Sequence, residues 1–437
     1  MSEPRTGAEL RGTMAGAPGS RHTALTWPQR RFLLLLALPA FGIAFAYTVV
    51  TTYGPVLLGR FAGPSTIGIL IGSEGVLALV IPLLVGGWSD RLRTRVGGRL
   101  PFVLAAAVVA AVALVLLPLA GGSPYLVVPA LLLFFAAYFT YYAPYYALYP
   151  DLVPEGMEGR SQGFQGGLRA AGLLLALAGG GVLLALWRPL PFVLAAAVLL
   201  LLPASLVAAV RGRSTDVADG ERGNGAAAAL AILRADRRIR NWAVANACWE
   251  AALGALRTFV VLYFTAGLGF SLSGTSGALA LVGVAAVVAA PLAGKLGDRY
   301  GVRRVMIAAA LLFAVGVTPA VVTTDTTFVA AILPVAFAAV VLLTLPYSQL
   351  MSLLPERTRH GVGAGLFGFS RGVGLLAGPL LAGQAIDALR GVPVLSFAAT
   401  EGYSAIFAVA AVFLLAGVWF QGRTATRTGT GPPRRAG

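Results

Sequence analysis

The stretch Gly86-Gly-Trp-Ser-Asp90-Arg91 closes a hydrophobic segment and continues through Arg95 to Arg99. About two hundred residues later the chain reads Gly294-Lys-Leu-Gly-Asp298-Arg299-Tyr-Gly-Val-Arg303-Arg304. Both stretches follow the pattern G-x-x-x-D-R with further arginines behind it, and we call them the first and second hairpins. Each joins two apolar spans by a tight polar turn. Two copies at corresponding places predict a duplicated bundle of membrane helices.

The composition excludes a water-soluble domain. Of the 437 residues, 58% are hydrophobic and 11% are charged, and the mean hydropathy is +0.82. The apolar residues form runs of roughly 20, the length that crosses a hydrocarbon core of about 30 Å. The net charge of +16 is carried by arginines in short loops on alternate sides of these runs. That distribution is typical of a protein in a lipid bilayer and does not indicate nucleic-acid binding.

We predict an all-α polytopic membrane protein with twelve transmembrane helices in two six-helix pseudo-repeat bundles. Helices are required because lipid satisfies no backbone hydrogen bonds, and no segment alternates like a barrel strand. The predicted spans are 31–58, 65–88, 101–120, 124–149, 162–186, 189–210, 239–267, 272–295, 305–324, 327–350, 361–386 and 401–421. The predicted domains are an N-terminal tail (1–30), the N-terminal bundle (31–210), a linker (211–238), the C-terminal bundle (239–421) and a C-terminal tail (422–437).

The loop charges also predict the orientation. Most loop arginines fall on one side of the predicted spans, and only Arg60, Arg188 and Arg390 are clearly opposite. Arginine and lysine are enriched in cytoplasmic loops. We therefore expect both termini, the linker and both hairpins to be cytoplasmic, in a multi-pass protein of the plasma (cytoplasmic) membrane.

A second repeat supports the duplication. Gly163-x-x-Gly166-x-x-Arg169-x-x-Gly172-Leu-Leu reappears as Gly365-x-x-Gly368-x-x-Arg371-x-x-Gly374-Leu-Leu. Small residues at every third or fourth position let membrane helices approach closely. Most of these glycines are therefore expected to serve helix packing and not solute contact.

The sequence gives no sign of a metal or cofactor. The single cysteine, Cys248, lies within a predicted span, and His22 and His360 are isolated. We find no nucleophile motif, no ATP-binding motif and no large loop with paired carboxylates. We therefore expect a protein that is not an enzyme and that takes its energy from an ion gradient.

At the paired hairpins the chain resembles the major facilitator superfamily of transporters. The N-terminal half is similar to the sucrose-transporter-like members of the glycoside–pentoside–hexuronide group. The similarity lies in the stretches Gly42-Ile-Ala-Phe45-Ala-Tyr47, Arg95-Val-Gly97-Gly-Arg99-Leu-Pro101-Phe102 and Ala147-Leu148-Tyr-Pro-Asp151-Leu152. An acidic residue often found in the first helix of that group would fall at Ala44, and an arginine of its fourth helix would fall at Tyr146.

The resemblance implies a proton-coupled importer of sugars. It also implies that each hairpin docks against a helix start in the other half when the cytoplasmic side closes, with Asp90 and Asp298 as gate residues. Arg169 and Arg371, near the predicted starts of helices five and eleven, are their expected partners.

Three charged residues stand out inside the predicted spans, where charge is costly. They are Glu74 in helix two and Glu250 and Arg257 in helix seven. Asn246, Glu250 and Arg257 are spaced i, i+4, i+11 and so share one helix face. We expect that face to line a cavity between the halves, where a glutamate can change protonation as the cavity opens to either side. The alternative is that these charges form static pairs that hold helices together.

Hydroxyl-rich positions complete the predicted solute pathway. A tyrosine offers a ring for stacking and a hydroxyl for hydrogen bonding. The candidates are Tyr138 and Tyr142 in helix four, Tyr47 and Thr51 in helix one, and Tyr347 and Gln349 in helix ten. This set suits a neutral sugar or polyol better than an organic anion, although Arg257 keeps an anion open.

We therefore expect a secondary active transporter that moves a small polar solute, a sugar or glycoside, by proton-coupled symport through alternating access, as a functional monomer. One alternative is proton-driven efflux of drugs, because Gly374-x-x-x-Gly378-Pro379 resembles an antiporter motif. The third hypothesis is a polytopic membrane enzyme.

Overall fold

The computed structural model describes residues 25–89, 99–119, 123–154, 157–210, 231–325, 330–354 and 359–424. Within these ranges the chain is helical without strands, and twelve helices are long and apolar enough to cross a membrane. In chain order they are α1 Trp27–Leu58, α2 Pro64–Ser89, α3 Leu100–Leu119, α4 Pro124–Leu152, α5 Glu158–Leu186, α6 Leu190–Val210, α7 Arg237–Gly267, α8 Leu272–Tyr300, α9 Val302–Val322, α10 Ile332–Leu353, α11 Arg359–Leu389 and α12 Ala405–Gly422. The predicted all-α fold with twelve spans is confirmed.

The second hairpin is shorter than the sequence predicts. Helix α8 was expected to end at residue 295, but it continues through Asp298 and Arg299 to Tyr300. The turn to α9 is the single residue Gly301, whose φ of 86° favours glycine. Asp298 and Arg299 therefore lie on the last turn of a helix. Gly86 lies in α2, whereas Asp90, Arg91 and Arg95 of the first hairpin lie outside the described residues.

The duplication seen in the sequence is also present in the packing. Extensive helix contacts in the first half join α1 to α5, α2 to α4, α3 to α4 and α3 to α6. The second half repeats each of these with helix numbers raised by six: α7 to α11, α8 to α10, α9 to α10 and α9 to α12. The two halves are thus copies of one six-helix bundle.

Glycines bring the two bundles into backbone contact. Gly68, Gly72 and Gly75 of α2 lie directly against the backbone of α11, so that a side chain at any of them would collide with it. Gly181 of α5 lies in the same way against Leu272 of α8. Such close approach is typical of small residues at helix interfaces in membranes. These contacts fall in the halves of α2 and α8 that are remote from the hairpins.

Polar contacts close the same end of the molecule, which we call the opposite side. The backbone N–H of Ser65 donates to Asp387 Oδ2 across the bundles at 2.9 Å. The Tyr53 hydroxyl donates to the carbonyl of Leu177 at 2.7 Å and lies 3.1 Å from Ser276 Oγ of the other bundle. The two bundles therefore meet on the opposite side.

Several polar residues are exposed toward the other end of the molecule, which we call the hairpin side. Thr344, Tyr347 and Ser348 of α10 are exposed, and so is Arg169 of α5. Polar and charged side chains within membrane helices face water-filled cavities in preference to lipid. The exposed set therefore indicates a cavity that opens toward the hairpins.

Arginines of both hairpins anchor the helix that follows. Arg99 pairs with Asp151 at the end of α4 at 2.6 Å and also donates to the carbonyl of Ala147. Arg303 donates to the last carbonyls of α12, to Gln421 at 3.1 Å and to Gly422 at 2.5 Å. A cation at a helix C-terminus is favourable because the unpaired carbonyls there are partially negative. Neither contact crosses between the bundles: the Arg99 contact lies within the N-terminal bundle, and the Arg303 contact lies within the C-terminal bundle.

Candidate functional site

An ion pair joins the two bundles in the membrane interior. The guanidinium of Arg257 in α7 contacts Glu74 Oε1 in α2 and donates to the Tyr47 hydroxyl at 2.7 Å. Tyr47 in turn donates to Glu74 Oε1 at 3.2 Å, and Arg257 lies 4.9 Å from the centre of its ring. Helices α1, α2 and α7 thus meet at one three-residue cluster, which we call the interbundle triad.

Glu74 is placed there by its neighbours in α2. Gly72 and Gly75 let α2 lie against α11, which leaves the Glu74 side chain 0% exposed, whereas Arg257 is 23% exposed. A buried charge is tolerated only when it is paired. The second oxygen, Oε2, is also buried, yet no hydrogen bond within the described residues reaches it.

A second pair lies inside the C-terminal bundle. Arg371 of α11 lies 3.6 Å from Glu250 of α7, and one turn earlier Asn246 donates to Ser370 Oγ at 2.8 Å. The predicted common face of Asn246, Glu250 and Arg257 is therefore used, but for contacts with three different helices, α1, α2 and α11. The possible pairing of Glu250 with Arg257 is not what the structure shows.

The arginines expected as gate partners lie well inside their helices. Helix α5 begins at Glu158 and α11 at Arg359, which places Arg169 and Arg371 eleven and twelve residues in. At 1.5 Å per residue this is about 16–18 Å from the helix start. Arg371 meets Glu250, and Asp298 is exposed with no ion pair to any described residue. Neither arginine contacts a described hairpin carboxylate in this conformation.

Tyrosines of α4 form an aromatic wall beside the interbundle triad. Tyr138 stacks on Tyr47 with ring centres 4.7 Å apart. The ring centres of Tyr142 and Tyr146 are 4.2 Å apart. Tyr138 is buried, whereas Tyr142 and Tyr146 are half-buried. The hydroxyls of Tyr142 and Tyr146 make no hydrogen bond to any described residue. The predicted stripe on α4 is thus brought together with helix one.

The remaining predicted residues fall in different places. Thr51 is buried and donates back to the Tyr47 carbonyl at 2.8 Å. Tyr347 is exposed on the hairpin side and packs edge-on against Phe367. Gln349 turns to the peripheral helix α12, where Gln421 donates to its side-chain oxygen at 2.6 Å. In this conformation the side chain of Gln349 is therefore held by α12 of the same bundle.

Two polar residues at the bundle contacts were not predicted. Ser276 of α8 is fully buried between the bundles, where it accepts from the backbone N–H of Gly181 at 2.8 Å. Ser370 holds Asn246 in place. A serine within a glycine-rich span was the available signal in the sequence.

Comparison with known proteins bears on this arrangement. The profile of the Major Facilitator Superfamily matches residues 6–177 and 251–436, which is most of the chain and both bundles. The chain belongs to the Major Facilitator Superfamily. The expectation of a membrane transporter family is therefore confirmed, and the protein is a multi-pass membrane protein.

Two curated relatives give local matches to this superfamily member. "Proton-associated sugar transporter A" of Homo sapiens is 38% identical over 93 residues, 21% of this chain and 12% of the relative. "Multidrug resistance protein MdtG" of Enterobacter lignolyticus (strain SCF1) is 27% identical over 206 residues, 46% of each chain. The chain thus matches about an eighth of the length of the sugar transporter and about half of the length of the multidrug resistance protein.

Solved structures share the fold over nearly the whole chain. An inward-facing bacterial homologue of the human lysosomal transporter Spinster aligns with a TM-score of 0.74 at 17% identity, covering 91% of this chain and 97% of that one. The nucleoside transporter NupG gives 0.73 at 13% identity, with 90% and 98% covered. A D-xylose-proton symporter gives 0.66 at 15% identity, with 91% and 97% covered. At these identities the likeness shows the fold alone.

Proposed function

We propose that this protein is a secondary active transporter that moves a small hydroxyl-bearing solute, a sugar or glycoside, together with a proton. The observation that carries the proposal is the interbundle triad, which places a buried carboxylate at the contact between two bundles. Tyrosines of α4 lie beside it, and polar residues are exposed toward the hairpin side. Similarity to a proton-associated sugar transporter over 93 residues supports the choice of substrate class.

The position of Glu74 explains how a proton would be coupled to movement. Glu74 and Arg257 belong to different bundles, so rocking the bundles apart on the opposite side separates them. A carboxylate that loses its cation there gains from taking up a proton, and Oε2 is already without a partner. When the opposite side closes again, Arg257 returns and favours release of that proton. Each conformation thus favours one protonation state.

The second ion pair has a different part in this scheme. Glu250 and Arg371 both belong to the C-terminal bundle, so rocking does not separate them. We assign them to the wall of the solute site, where they orient the solute's hydroxyls. The solute then binds between this wall and the tyrosines of α4, at mid-membrane, as in transporters with repeated bundles.

We further propose that the hairpin side is cytoplasmic, that the protein resides in the plasma membrane, and that one chain is the functional unit. The loop arginines support the orientation. The interbundle triad supports the monomer, because both bundles that form it belong to one chain. Cysteine labelling from either face of intact cells, and the mass of the purified protein in detergent, test these points.

Proteoliposome transport tests the function. Uptake of at least one solute from a panel of labelled sucrose, maltose, pentoses and D-glucuronate should rise when an inward pH gradient is imposed and should fall when a protonophore removes it. The match to a multidrug resistance protein makes drug efflux the second candidate. Protonophore-sensitive dye extrusion without any sugar flux would decide for efflux and against sugar symport.

A further inference from the structure

Within the solute cavity, the described residues carry one positive charge that no protein group balances. The arginines at mid-membrane are Arg169, Arg257 and Arg371. Glu74 pairs with Arg257 and Glu250 pairs with Arg371. Arg169 makes no ion pair or hydrogen bond within the described residues. An unpaired charge in a membrane interior costs free energy, so a partner is expected.

Arg169 is positioned to meet a solute and not lipid. Its side chain is exposed although it lies deep in the protein, within electrostatic range of Tyr138, Tyr142 and Tyr146. It is also within range of Arg371 in the other bundle, which places it on the wall of the cavity between the bundles. The free hydroxyls of Tyr142 and Tyr146 offer hydrogen-bond donors beside the guanidinium.

The internal repeat shows what is missing. Arg169 and Arg371 are equivalent residues, three positions before Gly172 and Gly374. Gly172 packs on the carbonyl of Phe41 in α1, and Gly374 packs on the carbonyl of Ala247 in α7. Phe41 and Ala247 are therefore equivalent positions.

Three residues further along each helix, the two bundles differ. In the C-terminal bundle that position is Glu250, the partner of Arg371. In the N-terminal bundle it is Ala44. Arg169 thus faces a place where the other bundle has a carboxylate and this one has a methyl group.

We propose that the transported solute itself supplies the missing negative charge: it is an acidic sugar or a related hydroxylated acid, and its carboxylate or phosphate binds Arg169 with Tyr142 and Tyr146. This rests on the proposed function and narrows its substrate class from sugars in general to acidic ones. An arginine binds a carboxylate or phosphate through charge-assisted hydrogen bonds, often two in parallel. Proton uptake at Glu74 would leave Arg257 unbalanced as well, so proton and anion bind more tightly together than alone.

Binding by the purified full-length protein tests the charge requirement. D-glucuronate and its neutral analogue D-glucuronamide differ only at the acid, and D-glucose 1-phosphate separates phosphate from carboxylate. We expect an acid to bind at least tenfold more tightly than the amide, and Arg169→Gln to remove that difference. Arg188→Gln, which changes an exposed arginine two residues beyond the end of α5, is the matched control. Equal binding of acid and amide to the unaltered protein would overturn the proposal.

A gain of charge provides a second variant. Ala44→Glu should give Arg169 a partner within the protein and abolish the preference for the acid, whereas Ala44→Gln should keep it. Acetate and phosphate, which carry the anion without the sugar, should raise the melting temperature of the unaltered protein but not of Ala44→Glu. Equal stabilisation of both would contradict the assignment of the anion to Arg169.

Electrical measurements separate this proposal from the proposed function. One proton moving with a monoanion carries no net charge, whereas one proton with a neutral sugar carries one. Uptake of D-glucuronate, a monoanion, should therefore be unchanged by a potassium–valinomycin potential. Proton-coupled uptake of neutral sugars that responds to the potential would contradict the proposal of an acidic substrate. It would remain consistent with proton-coupled symport. The absence of proton-coupled uptake for every solute would remove both.

Discussion

Arg257 in α7 and Glu74 in α2 form an ion pair that crosses between the two bundles, and Tyr47 in α1 hydrogen bonds to both. This one contact links three helices from two structural units. Because it is made where the bundles meet and Glu74 is fully buried, its formation depends on the opposite side being closed. We therefore regard it as the point at which protonation and conformation act on each other.

Removing the carboxylate of this pair should uncouple transport. Glu74→Gln cannot exchange a proton and leaves Arg257 without its counter-charge, which is unfavourable in a mostly buried site. We expect pH-driven accumulation of solute in proteoliposomes to fall by a factor of about ten or more, in line with typical coupling energies. Glu401→Gln, whose partner Arg390 lies 4.0 Å away at the surface, should transport normally. Full accumulation by Glu74→Gln would remove Glu74 from the coupling step.

Helix contact on the opposite side should be sensitive to a single added side chain. Gly75→Val places methyl groups where the backbone of α11 lies, so the bundles cannot close there. We expect a cysteine introduced at Ser65 on the opposite side, in a Cys248→Ala background, to become more reactive to a water-soluble thiol reagent, and transport to be lost. Gly167→Val, which meets no atom within 4 Å, is the matched control. Unchanged reactivity in Gly75→Val would show that the glycine contact does not govern closure.

The pair within the C-terminal bundle should affect binding more than coupling. Glu250→Gln weakens the hold on Arg371 but leaves the interbundle triad intact. We expect the half-saturating solute concentration to rise roughly tenfold while the response of uptake to a pH gradient persists. Kinetics with and without the gradient measure both quantities. Loss of the pH response with unchanged solute affinity would contradict these roles. It would assign proton coupling to Glu250 and solute binding to Glu74.

Arg303 should act as an anchor and not as a gate. It donates to two carbonyls at the end of α12, so Arg303→Gln removes contacts that hold α9 to α12. We expect a lower melting temperature in detergent, with transport per folded molecule within about twofold of normal. The adjacent Arg304→Gln, at an exposed position, should alter neither. A transport defect in Arg303→Gln without any loss of stability would favour the gate role.

The spans could be predicted from the sequence because apolar runs in a bilayer leave few alternatives to helices. The repeat motifs likewise predicted the paired bundles. The end of α8 was misjudged because Asp298 and Arg299 suggest a turn, whereas a helix can extend into water with charged residues on its last turn. The chain shows this at Tyr300, where only Gly301 is needed to reverse direction.

The partners in the site were harder to predict than its members. Glu74, Glu250 and Arg257 could be found because charge in a membrane span is rare and costly. Which arginine meets which glutamate depends on the rotation of helices from different bundles, and one sequence does not contain that rotation. Gln349 shows the same limit, since one helix turn separates a cavity position from the contact with Gln421.

The most direct test of the account is a distance across the opposite side. Spin labels at Arg188 and Ser273, both exposed and on different bundles, report by pulsed electron resonance whether the bundles are together or apart there. At high pH we predict a short distance between the two labels. On acidification a second, longer distance should gain population. In Glu74→Gln the distance distribution should not respond to pH. A single distance that is the same at every pH and with every solute would contradict the account.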